Sequence, residues 1–150
     1  MREIMTKSMA RNVFYGGSLF FIVIFLGLSW HSHRYIVTTS TNAETLTPAV
    51  AAGKHVWEKH ACINCHSILG EGAYFAPELG NVMKRWGVQD DPQGAYDALK
   101  AWMDAMPTGI EGRRQMPQFN LTEEDYRNLT DFLLWVGTIN TQNWPPNDAG

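Results

Sequence analysis

The sequence has almost no cysteine: two residues in 150, too few for a fold stapled by disulfides. It has no excess of positive charge either. Twelve Lys+Arg against 15 Asp+Glu leave a net charge of −3, which argues against a nucleic-acid partner. Gly and Pro number 13 and 7, too few for a low-complexity chain. No stretch alternates apolar and polar residues long enough to make a convincing strand, so the chain reads as all-α. What is present is unevenly distributed, and the mildly acidic average covers two unlike parts.

The first part is a run of 18 residues without charge, Val13 to Trp30. Thirteen are apolar or aromatic, three are Gly and two are Ser. As a helix the run spans about 27 Å, close to the ~30 Å hydrocarbon core of a bilayer. Tyr15 and Trp30 stand near its ends, where amphipathic rings favour the interface. A cleavable signal would be shorter and would meet a small-x-small site soon after it. Here His31, Ser32, His33 and Arg34 follow, and the nearest passable site ends only at Ala43. A retained anchor over 13–30 is expected. Residues 1–12 form a flank carrying Arg2, Lys7 and Arg11, whereas 31–50 carry only Arg34. That asymmetry predicts a cytoplasmic N-terminus, with the rest of the chain on the other side. Gly16, Gly17 and Ser18 would let a neighbouring helix approach closely.

The second part is acidic: residues 35–150 hold 8 Lys+Arg and 14 Asp+Glu, a net −6. Residues 31–46, rich in Thr and Ser, read as a linker, 47–138 as a helical domain and 139–150 as an Asn- and Pro-rich tail, disordered in isolation apart from a contact by Trp144. Four helices are predicted in the domain. Thr47-Pro48 opens one that runs to about His60. Leu79, Val82, Met83 and Trp86 recur at helical spacing, with Gly87 to close them. Asp91-Pro92 opens a third, with Ala95, Leu99, Trp102 and Met106 along one face. Thr122 and the acids at 123–125 open the last, with the stripe Tyr126, Leu129, Leu133 and Val136.

Between the first two helices lies Cys62-Ile63-Asn64-Cys65-His66, which uses all the cysteine in the chain. The two thiols can add across the vinyl groups of a haem, and the adjacent histidine is then placed as an axial iron ligand. With two Cys and five His in 150 residues, chance yields this pattern roughly 4 times in 10,000. The competing readings are weaker. Zinc would crowd its ligands (Cys62, Cys65, His66 with His55 or His60) into one short segment. A redox dithiol would want a βαβ context, and a plain disulfide would have to close across two intervening residues.

The motif leaves the sixth iron ligand open among Met83, Met103, Met106, Met116, His55 and His60. Met83 and Met103 fall within predicted helices and read as core. His55 and His60 precede the cysteines and read as solvent-facing. Met116, followed by Pro117, lies in an irregular stretch that can wrap to the far face of the ring, and it is preferred over Met106. A thioether ligand raises the reduction potential, and two filled axial positions suit a chain that carries electrons rather than one that catalyses.

These features resemble class I c-type cytochromes: the haem motif, the Met-Pro step, and Gly53 and Trp57 on the first helix with Tyr126 and Leu129 on the last. Pro77 resembles the proline whose carbonyl accepts a proton from Nδ1 of the haem histidine, here His66. Three stretches are narrower: Gly70 to Leu79, Met116 to Leu121, and Phe132 to Pro146 with Trp135-Val136-Gly137 and Asn143-Trp144-Pro145-Pro146. They closely resemble the cytochrome c subunit of bacterial nitric oxide reductase. The resemblance implies one covalent haem c, on a subunit held in the inner membrane with its haem domain in the periplasm. Soluble periplasmic cytochromes or cupredoxins would supply its electrons. The electrons would go to haem b of a large polytopic catalytic subunit, where a haem and a non-haem iron reduce two nitric oxide molecules to nitrous oxide and water. It also implies a calcium shared with that subunit and bound through the backbone oxygens of Gly72 and Tyr74, donors that suit a hard cation. Without the resemblance, the same residues read as a Gly-rich turn with a buried tyrosine. The runner-up is a membrane-tethered cytochrome, or the haem c subunit of a haem–copper oxidase in aerobic respiration. The acidic domain favours donors with a basic face, unless a local patch such as Arg113-Arg114 receives an acidic one.

Overall fold

The computed structural model describes residues 5–41, 43–112, 114–142 and 144. Arg2 of the basic flank, Arg113 of the candidate basic patch, and Asn143, Pro145 and Pro146 of the tail motif lie outside the described residues. The chain divides into two compact units, one ending at Ser40 and one beginning at Thr41.

The first unit is a single helix, α1, over Lys7–Tyr35. Thr6 caps it, its hydroxyl accepting the Met9 N–H at 3.3 Å. At 29 residues it is about 44 Å long, more than the apolar run alone. Neither flank of that run contains a Pro or Gly to stop it, so the helix continues both ways. Past Tyr35 it relaxes into a π-helical turn, Ile36–Ser40, where the Thr38 hydroxyl donates to the Arg34 carbonyl at 2.8 Å. Helical structure thus occupies the first part of the segment that composition reads as linker. None of the α1 residues is buried, and the helix is long and apolar enough to cross a membrane.

In the second unit, α2 spans Pro48–Lys59 and is capped by the Thr47 hydroxyl on the Val50 N–H at 3.2 Å. The last helix, α5, spans Glu123–Val136 and opens with a reciprocal capping box between Thr122 and Asp125. The two cross at Gly53. A Cβ at that position would fall inside the Asn128 carbonyl and against the Phe132 Cβ. The missing side chain lets the backbones approach closely, and Trp57 then meets Phe132 with ring centroids 6.4 Å apart. Tyr126, Leu129, Leu133 and Val136 are all buried, as the stripe predicts. At the start of the unit, the Thr45 hydroxyl accepts the Trp135 indole N–H at 2.8 Å.

Two elements differ from their expected form. Helix α4, Pro92–Asp104, is capped by Asp91 as expected, but its buried face is Ala95, Tyr96, Leu99 and Met103. Trp102 is 52% exposed, beside Trp86 with centroids 6.2 Å apart, and Met106 is buried beyond the helix end. From Leu99 both i+3 and i+4 are helical neighbours. The packed face takes i+4, because Met103 joins the core and the Tyr96 hydroxyl reaches Glu123 on α5. The helix expected from Leu79 to Trp86 is a single turn, α3, Val82–Arg85, ended by Gly87 at φ 72°. Leu79 and Gly80 stay outside it because their N–H groups donate elsewhere, to the Ser67 carbonyl and the Glu78 carboxylate. A two-residue hairpin, β1 Ser67–Ile68 and β2 Glu71–Gly72, turns through Leu69 and Gly70, both left-handed.

Helices α4 and α5 are also laced by polar groups. Lys100 bridges Asp104 at 3.3 Å and Glu123 at 3.0 Å, and its ammonium lies 4.5 Å from the Tyr126 ring centre. The buried Tyr126 donates its hydroxyl to Asp104 at 2.8 Å. The described part of the tail turns back on itself. Trp144 and Thr141 exchange hydrogen bonds, and the Trp144 ring lies against Gly70, where a Cβ would come within 3.0 Å of it. The contact expected of Trp144 is thus made with the Gly70 turn.

Gly53→Ala is expected to lower unfolding stability by about 3 kcal/mol, measured by denaturant titration of the haem-loaded chain, because the added methyl meets backbone rather than a movable side chain. Burial, with the Asp104 hydrogen bond and charge, pushes the Tyr126 hydroxyl up to about 12. Its preference for the protonated form in the folded chain contributes stability that is complete below pH 10 and lost as pH rises towards 12. The fall in denaturation midpoint across that range is expected to be shallower in Tyr126→Phe.

Candidate haem site

The haem motif begins where α2 ends. His60 caps the helix, Ala61 takes a left-handed φ of 51°, and Cys62–Asn64 form one 3₁₀ turn. Cys65 and His66 both donate their N–H groups to the Cys62 carbonyl, at 3.1 and 2.9 Å, so one turn of backbone carries both cysteines and the histidine. Both cysteines are free and half-buried. Burial pushes the Cys62 thiol up to about 11, so it stays protonated at neutral pH.

The His66 ring is fixed from the other side. Its Nδ1–H donates to the Pro77 carbonyl at 2.7 Å, and Trp57 lies alongside with centroids 6.3 Å apart. Burial lowers the His66 pKa below the usual histidine range, against the opposite pull of the Pro77 carbonyl. The imidazole is therefore neutral at physiological pH, with its proton on Nδ1 and its lone pair on Nε2. That is the form an iron ligand requires, so the residues present fit a haem. No three His, Cys, Asp or Glu side chains among the described residues lie close enough to hold a metal ion, so the zinc alternative finds no ligand set there.

The remaining candidates separate by burial. Met83 is wholly buried and Met103 nearly so, both in the apolar core, and Met106 is buried just past the end of α4. Met116 is half-buried and packs against the edge of that core. His55 is exposed as expected. His60 is not: it is half-buried, edge-on to Phe119 at 5.5 Å, and its Nε2 is sealed from solvent without a partner. The sequence reading of His60 as solvent-facing is corrected by the Met116–Leu121 segment, which lays Phe119 over it. Tyr74 also departs from expectation. It is 70% exposed rather than buried, with its hydroxyl donating to the Gly70 carbonyl at 3.1 Å. Gly72 stands in β2 at φ 124°, where a Cβ would strike the His66 carbonyl.

Two features escaped the sequence. Arg114 donates to the Phe75 carbonyl at 2.7 Å and lies 4.4 Å over the Phe75 ring, so its cation is held over an aromatic. Glu78 is buried beside the site, and its only sequence signal is an acid alone in an apolar, Gly-flanked run.

Comparison with known proteins agrees with this geometry. The cytochrome c family model matches residues 50–137. The chain is 71% identical to the C subunit of the nitric oxide reductase of Paracoccus denitrificans, over all of both chains. It is 63% identical to the corresponding nitric oxide reductase subunit of Cereibacter sphaeroides and 56% identical to that of Halomonas halodenitrificans, again over the full length of each. The chain belongs to the cytochrome c family and, within it, to the C subunits of nitric oxide reductase. Membership of the cytochrome c family supports haem c binding by this domain, and the matched stretch contains Cys62, Cys65 and His66. The match begins at Val50, within α2, and ends at Gly137, just past α5, so it encloses the helix pair that crosses at Gly53.

Proposed function

We propose that this chain is the electron-transfer subunit of a nitric oxide reductase and binds one covalent haem c through Cys62 and Cys65, with His66 and Met116 as axial ligands. The observation that carries this reading is the hydrogen bond from His66 Nδ1 to Pro77, on the turn that also carries Cys62 and Cys65. It leaves Nε2 as the free donor, which is the tautomer an axial ligand needs. The full-length similarity to the C subunits of nitric oxide reductases supplies the system in which that haem works. When bound, haem c supplies a one-electron redox centre. The protein's part is to fill both axial positions, exclude water and hold the Nδ1 proton of His66 on the Pro77 carbonyl. With both positions filled, no substrate reaches the metal in this chain.

The helix α1 anchors the chain in the bacterial inner membrane, with its basic N-terminal flank cytoplasmic and the haem domain periplasmic. Soluble cytochromes or cupredoxins deliver electrons there, and the net −6 of residues 35–150 favours donors with a basic face. The electrons pass to haem b of the polytopic catalytic subunit, which holds the non-haem iron. In the folded domain, Arg114 stays at Phe75, a local positive point beside the exposed Tyr74 and Phe75. That surface follows Gly72 and is where the catalytic subunit docks, with the carbonyls of Gly72 and Tyr74 turned to a shared calcium.

Replacing Met116 by Leu is expected to abolish the low-spin His/Met signature in visible and near-infrared spectra, and Met106→Leu to preserve it; the reverse pattern would move the ligand to Met106. Purification in mild detergent from the native host is expected to bring down a polytopic partner containing non-haem iron. Copper in that partner would make the chain an oxidase subunit instead.

A further inference from the structure

Glu78 is 3% exposed, yet no cationic side chain compensates its carboxylate among the described residues. Its partners are backbone amides. Oε1 accepts the N–H of Leu69 at 2.7 Å and of Gly80 at 2.9 Å, and Oε2 faces the N–H of Gly70 at 3.4 Å. Leu69 and Gly70 are consecutive left-handed residues, φ 52° and 83°, a conformation that turns successive N–H groups into one anion-binding concavity. Such a concavity usually receives a ligand from outside; here the protein fills it with its own carboxylate. Gly80 leaves the room for it, since a Cβ there would stand 2.7 Å from Oε1.

The position of this carboxylate matters more than its burial. It follows Pro77, whose carbonyl holds His66, and it grips the turn that follows His66. On either side of it the same two segments are joined backbone to backbone. The Ala76 N–H donates to the Cys65 carbonyl at 2.8 Å, and the Leu79 N–H to the Ser67 carbonyl at 2.9 Å. Arg85 fixes the far end by donating to the carbonyl of Glu78 itself at 2.8 Å. Among the described residues, Glu78 is the side chain that ties residues 69–70 to 78–80 by hydrogen bonds, while Leu69 only packs against Gly80. Without the Glu78 carboxylate, the left-handed turn would lose its hydrogen-bonded link to the residue that follows Pro77, leaving the flanking backbone bonds alone to hold the two segments.

We propose that Glu78 is a positioning residue for the axial histidine: its carboxylate, seated in the Leu69–Gly70 amide nest, holds the Pro77 carbonyl on His66 Nδ1 and thereby sets the tautomer and basicity of the iron ligand. The inference rests on the haem reading above and deepens it.

The test uses the full-length, haem-loaded chain in detergent micelles with ¹⁵N-labelled histidine. It reads the exchange rate of the His66 Nδ1 proton and the midpoint potential. Glu78→Asp keeps the charge but draws both oxygens back by one methylene. Glu78→Gln keeps the reach and one oxygen but removes the charge. Gly80→Ala displaces the same carboxylate without altering it, and serves if the Asp variant does not retain haem. Positioning predicts Nδ1–H exchange about tenfold faster in Glu78→Asp and Gly80→Ala, the scale of one lost hydrogen bond, with a raised potential from a less basic ligand. Glu78→Gln is expected to exchange within about threefold of wild type. Wild-type exchange in both displaced variants, or a potential that moves only in Glu78→Gln, would show that the carboxylate acts through its charge or not at all, and would overturn the proposal. Absence of c-type bands in the wild-type chain would overturn the haem reading and this one with it, before any variant is made.

Discussion

The contact at Gly53 organises the folded domain. Helix α5 can press its Asn128 carbonyl and Phe132 against α2 only because position 53 carries no side chain. Once the two backbones meet, Trp57, Phe132, Leu129 and Leu133 close into one core, and α4 adds Ala95, Leu99 and Met103 to it. The end of α2 is thereby fixed, and the haem motif starts there. The site inherits its placement from a packing contact some ten residues upstream.

The second constraint is polar and local. Residues 65–70 and 76–80 run past each other, joined by hydrogen bonds from Ala76, His66, Leu69, Gly70 and Leu79. Every one of these either touches the iron-ligand candidate or lies within a few residues of it. The imidazole is held by a frame of backbone amides and carbonyls into which one side chain, the Glu78 carboxylate, is built. The apolar core sets where the site is, and the frame sets which nitrogen of His66 is free.

Much of this was legible in the sequence because its signals are local. Thr47-Pro48, Asp91-Pro92 and Thr122 with Asp125 announce helix starts through chemistry confined to three or four residues, and each caps where expected. The α5 stripe was legible because it repeats over about three turns. The face of α4 was not: at Leu99 the pattern allows Trp102 or Met103, and tertiary contacts with α5 choose between them. The short α3 and the buried Glu78 escaped for one reason. Leu79 and Gly80 have helical spacing in the sequence, but their amides are claimed by partners outside any helical turn, the Ser67 carbonyl and a buried carboxylate. His60 and Tyr74 depart from expectation in the same manner, their burial being decided by Phe119 and by the hairpin rather than by their own neighbours.

That the organising contact joins the first and last helices of the domain has a consequence in time. A chain delivered N-terminus first presents Cys62, Cys65 and His66 long before Glu123–Val136 arrives. Until then α2 has nothing to cross, and a short isolated helix is only marginally stable in water. The contact that completes the core also has a high sequence separation, which makes it slow to form. Cys62 and Cys65 therefore lie, for the whole of that interval, on a stretch of chain that the contact at Gly53 has not yet fixed.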